Sequence, residues 1–102
     1  MNTYRTSDGD RLTQSSIDRR IRDAKRLKVQ SMDFIFCEMC GISSSQRFDC
    51  SHIISVKEAK ESGRTELSFD INNIEILCRE CHNKIETMSK SERENRYEEK
   101  NS

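Results

Sequence analysis

The sequence predicts a small α+β domain held together by something other than its apolar core, on three observations. The chain has 102 residues, room for one domain and short tails. Only 32% of residues are apolar, 35% are charged and Trp is absent, so burial alone would leave the core marginal. Four of the five cysteines fall in two Cys-x-x-Cys pairs, the candidate staple. Disulfides would need an oxidising compartment. Residues 1–10 (MNTYRTSDGD) carry no apolar stretch and no small-residue cleavage site, and the longest apolar run is residues 34–37, far short of a membrane span. The expectation is a cytoplasmic protein with metal-ligating thiolates and no membrane partner. Eighteen Lys plus Arg balance eighteen Asp plus Glu, which removes any strong global attraction for polyanions.

The charge is unevenly placed. Residues 1–36 carry eight basic and five acidic side chains, residues 37–82 five and eight, and residues 83–102 five and five. In the basic third, Thr13-Gln14-Ser15-Ser16 offers N-cap hydroxyls, Asp18 suits a first helical turn, and Ile17, Ile21, Ala24 and Lys28 recur at helical spacing. This predicts a helix over 16–33 with a cationic stripe of Arg19, Arg20, Arg22, Lys25, Arg26 and Lys28. Phe34-Ile35-Phe36 reads as a strand running into the Cys37-Glu38-Met39-Cys40 knuckle, with a turn at Ser43-Ser44-Ser45. A second strand is expected over 46–50, then a short helix over 56–62 capped by Ser55 and stopped by Gly63. Asp70-Ile71-Asn72-Asn73 is loop chemistry before a half-buried strand in which Ile74 and Ile76 alternate with Glu75. A helix follows from Arg79 to about Met88, and residues 89–102 read as a polar tail, a frayed helix or disordered.

Each Cys-x-x-Cys pair turns two thiolates toward one tetrahedral ion, so Cys37, Cys40, Cys78 and Cys81 predict a closed structural zinc site. Redox chemistry by either pair is the alternative. Thirty-seven residues separate the pairs, enough to form structure of their own. Cys50 is left over and reads as a small buried hydrophobe. Between and beside the knuckles lie Asp49-Cys50-Ser51-His52-Ile53-Ile54, Asn73 and Cys81-His82, which hold both histidines of the chain. Singly, each histidine is more often structural, and His82 is also a candidate spare zinc ligand.

Together these segments resemble the HNH (ββα-metal) nucleases, in the branch with a four-cysteine zinc site. The resemblance covers about residues 35–88. It rests on Cys37-x2-Cys40, Ser51-His52-Ile53-Ile54 and Asn73-Ile74-Glu75-Ile76-Leu77-Cys78-Arg79-Glu80-Cys81-His82-Asn83-Lys84. It implies a zinc-stapled ββα-metal fold with the nuclease core at residues 35–88; beside such a core, the charge of residues 1–34 reads as a tail and basic helix on the DNA backbone, and 89–102 stays a polar tail. It implies a DNA endonuclease with His52 as general base, Asn73 as its brace and His82 holding a catalytic Mg2+ or Mn2+. Many members carry a second metal ligand where this chain has Ser51, which leaves Asp49 or Glu86 for that part. Arg79 and Lys84 flank His82 and join the N-terminal stripe as DNA-binding candidates. Double-stranded DNA is the expected partner, a homodimer stays open, and free-standing nucleases of this kind are frequent in bacteriophages and their hosts. The rival reading is a catalytically silent zinc module that binds DNA or a protein.

Overall fold

The computed structural model describes residues 2–44 and 47–101. Two strands, β1 (Thr3–Arg5) and β2 (Arg11–Thr13), pair antiparallel in an N-terminal hairpin that the sequence reading did not anticipate. Three-residue strands without alternating apolar positions leave no periodic signal. The hairpin docks through Thr65, whose hydroxyl donates to the Arg5 carbonyl at 2.7 Å, and through Ser7, whose N–H donates to Glu66 at 3.0 Å.

Helix α1 spans Gln14–Gln30, two to three residues earlier than expected. Thr13 is the N-cap and accepts from the Ser16 N–H, so Asp18 falls outside the first turn and pairs with Gln14 instead. Ile17 and Ala24 bury its inner face. Residues 34–36 are not a strand. Phe34 is exposed and its ring stacks tilted on Phe36 at 5.3 Å, because an apolar run so short signals burial no better than a loop does. The expected turn at Ser43 to Ser45 and the start of the second strand at Gln46 fall partly outside the described residues, since Ser45 and Gln46 are not among them.

The central unit is a β-hairpin followed by a helix. Strand β3 (Phe48–His52) pairs antiparallel with β4 (Ile74–Cys78), matching Phe48 to Cys78 and His52 to Ile74. All five β4 residues are buried, Glu75 included, so the expected half-buried alternation is corrected. A half-buried partner for that carboxylate, described below, is the reason. Helix α2 (Val56–Glu61) starts on the Ser55 cap, and Gly63 leaves it at φ +70°, where the Arg5 side chain fills the space a Cβ would need. Two 3₁₀ turns, Thr65–Phe69 and Ile71–Asn73, lead into β4.

Helix α3 (Arg79–Thr87) continues from β4, and α4 (Lys90–Lys100) replaces the expected frayed or disordered tail. Ser89 and Glu92 form a reciprocal capping box at its start. Arg96 then makes a two-pronged pair with Glu75, at 3.0 and 2.7 Å, and Lys100 reaches both Glu75 and Glu38. One apolar cluster gathers Leu77 and Ile85 around the cysteines; a second joins Ile54, Ala59 and Leu67 under Tyr97. No helix among the described residues is long and apolar enough to cross a membrane.

Candidate active site

The four knuckle thiols converge. The sulfur atoms of Cys37, Cys40, Cys78 and Cys81 all lie within 4.8 Å of one another, the spacing of ligands on one tetrahedral ion. The first knuckle closes with the Gly41 N–H donating to the Cys37 carbonyl at 2.8 Å, Gly41 taking φ +81°. Burial raises both the Cys37 and Cys81 thiols. At Cys37 the backbone N–H groups of the knuckles outweigh burial and bring it down to about 6, whereas neighbouring thiols push Cys81 up further, to about 12. Four thiolates this close need a cation, and the sulfur-only donor set fits zinc. His82 points elsewhere and is not in the cluster. Cys50 is half-buried on β3, where burial raises its thiol.

His52 ends β3. Its Nε2 lies 2.8 Å from the Ser68 carbonyl, which can only accept, so Nε2 carries the proton and Nδ1 keeps a lone pair. Burial lowers the imidazole below its ordinary 6.5, partly offset by the Ser68 bond and helped by the charge of Lys25 on α1. Asn73 is fully buried between the two segments that frame this ring. Its side-chain oxygen accepts from the Ile54 N–H, and its amide donates to the carbonyls of Ile54 and Leu67, all at 2.9 Å. Its carbonyl takes the Ile53 N–H at 2.9 Å. Asn73 therefore fixes the residues just after His52 and just before Ser68.

His82 lies in the first turns of α3, between the two carboxylates that sequence reasoning left open. Asp49 accepts from Nδ1 at 3.0 Å, and Glu86, one turn on, is 3.4 Å from Nε2. The His82 bond holds the Asp49 carboxyl below its usual range against partial burial, with help from Arg47 at 2.9 Å. Arg79 stands 3.7 Å from the same carboxylate. With Nδ1 turned to Asp49, Nε2 is the ring atom that faces the mostly exposed Glu86.

Both histidines line one cleft of about 190 Å³, together with Ser51, Glu86 and Arg93. Arg93 comes from α4, outside every motif read in the sequence. The signal that could have found its helix is the Ser89-x-x-Glu92 capping box. On α1, Arg19, Arg20, Arg22 and Arg26 are exposed; Arg20 stacks over Phe69 at 5.3 Å and Arg26 pairs with Asp23 at 3.4 Å. Lys84 is exposed on α3.

A two-stranded hairpin leading into a helix, with a four-cysteine cluster that fits a zinc site and histidines on strand and helix, defines a small α+β class of domain. The family model for the HNH endonuclease matches residues 37–87, half of the chain, and the chain belongs to that family. No curated protein and no solved structure matched it. HNH nucleases act on nucleic acid, and membership suggests nuclease activity.

Proposed function

We propose that the protein is a metal-dependent endonuclease that hydrolyses phosphodiester bonds in double-stranded DNA. The observation that carries this reading is the shared cleft, which holds an imidazole with a free Nδ1 on β3 and a carboxylate-flanked imidazole on α3. His52 Nδ1 takes the proton of the attacking water as the oxygen bonds to phosphorus and the P–O3′ bond breaks, and the leaving 3′ oxygen takes a proton from a solvent water, giving 5′-phosphate and 3′-hydroxyl ends. The Ser68 carbonyl holds the ring in its reactive tautomer, and Asn73 holds the two backbone segments that aim it.

The residues around His82 fit a hard divalent ion, since one imidazole and one carboxylate suffice when water and phosphate oxygens complete the shell. Of the two open choices, Glu86 is the co-ligand because it stands at Nε2, and Asp49 orients the ring from Nδ1. Mg2+ or Mn2+ bound there supplies charge neutralisation at the scissile phosphate and the leaving oxygen. Residues 1–34, through Arg19, Arg20, Arg22, Lys25 and Arg26, track the DNA backbone beside a catalytic unit of residues 35–88. Arg79 and Lys84 contact phosphates from α3.

The test is supercoiled plasmid incubated with wild type and His52→Ala at equal zinc content, with and without Mg2+ or Mn2+. Metal-dependent nicking or linearisation by wild type alone is the expected outcome. If neither protein cuts and both shift DNA on a gel, the nuclease reading gives way to a zinc-stapled binding module.

A further inference from the structure

Arg93 reaches the cleft from α4, beyond the residues that the family model covers. Two anchors hold it there. One guanidinium nitrogen donates to the Met88 carbonyl at the end of α3, at 2.9 Å, and the other pairs with Glu58 of α2. The side chain is 18% exposed, and its Nε is buried with no hydrogen-bond partner. Of five N–H groups on a guanidinium, these bonds use two. A pairing made only for stability would be replaceable by apolar side chains at little loss, and an unpartnered buried N–H is a cost such a pairing would avoid.

The charges of the cleft supply the second argument. Among the described side chains that line it, Arg93 is the one permanent cation and Glu86 the one carboxylate. A phosphodiester entering between His52 and His82 brings a negative charge into a partly desolvated groove. Arg79 and Lys84 are exposed on α3 and do not line it. The planar guanidinium fork suits phosphate oxygens in a way an ammonium does not.

Resting on the nuclease reading, we propose that Arg93 is a catalytic residue of this chain that binds a non-bridging oxygen of the phosphodiester presented to His52, with Glu58 and the Met88 carbonyl holding the guanidinium in place. α4 is then part of the active site.

The test uses the full chain with Arg93→Gln, Arg93→Lys and Glu58→Gln. Plasmid cleavage gives kcat and KM, and the affinity of the His52→Ala protein for a duplex oligonucleotide is followed against salt with and without Arg93→Gln. Removing one donor to the developing charge should lower kcat by about 10²-fold. Losing one phosphate contact should reduce the salt slope of binding by about 1. Arg93→Lys keeps the charge and the tie to Glu58, so it should leave the salt slope in place yet still lower kcat. If Arg93→Gln and Glu58→Gln lower thermal stability alike while kcat and salt slope stay at wild-type values, Arg93 is a structural tie and the proposal falls. Should Arg93→Gln not fold, wild-type kcat in folded Arg93→Lys would overturn it equally. A wild type that cuts nothing strikes the nuclease reading instead, and the salt slope still decides whether Arg93 meets phosphate.

Discussion

His52 is set up by where its Nε2 proton goes. A carbonyl cannot donate, so the Ser68 bond selects the tautomer, while burial keeps the ring uncharged. Two consequences share one sign. The base works only when neutral, so the acid limb of the rate against pH should have its midpoint below the ordinary 6.5; a midpoint at or above that value would contradict the burial argument. The unfolded chain binds the His52 proton more readily than the native one. Between the ordinary value and the lower native value, stability therefore falls as pH falls, and the contribution is intact above that window. Denaturant titrations of wild type and His52→Gln from neutral pH downward should show a shallower acid loss in the variant.

At the scale of elements, α4 is held by charge. Glu75 is 1% exposed on β4, and Arg96 and Lys100 are its partners. Breaking such a pair from one side leaves a buried carboxylate short of compensation, so Arg96→Ala should cost about 3 kcal/mol in urea unfolding. A loss within experimental error would show that Lys100 alone suffices. This pair also marks where sequence reading stops. Glu75 alternates with Ile74 and Ile76 and looks solvent-facing until Arg96, twenty-one residues on, is known to sit over it. The α2 cap, Gly63 and the β4 to α3 transition were readable because their signals are local, a hydroxyl before a helix or a glycine after one. His52, Asn73 and His82 stand out by their order between and beside the cysteine pairs. Ser68 offers only a carbonyl, and no side-chain pattern announces that. Asp49 was visible as a carboxylate two residues before Ser51, but its partner, thirty-three residues away, was not. The apolar run at 34–36 misleads because a strand and a loop aromatic pair, Phe34 exposed and Phe36 half-buried, look alike over three residues.

At the scale of the whole molecule, two modest apolar clusters and many ion pairs make a thin core for a chain whose extents are 43 × 28 × 24 Å. Zinc at the four cysteines should contribute an apparent free energy of about 10–16 kcal/mol, more than such a core supplies. Cys37→Ser or Cys78→Ser, or a strong chelator at neutral pH, should therefore abolish the helical circular-dichroism signal in a single transition. A metal-free chain that keeps its helicity would refute the stapling argument. The coupling has a visible route through Glu38, which lies between two of the ligands. Its carboxylate pairs with Lys28 of α1 at 2.8 Å, accepts the Ile76 N–H of β4 at 2.6 Å and meets Lys100 of α4 at 3.4 Å. Losing the ion would loosen the first knuckle and, with it, the grip on both outer helices, laying open the kind of unstructured, charge-rich segments that proteases cut. A chain that depends on zinc at these cysteines would owe its lifetime, as much as its shape, to the zinc its surroundings supply.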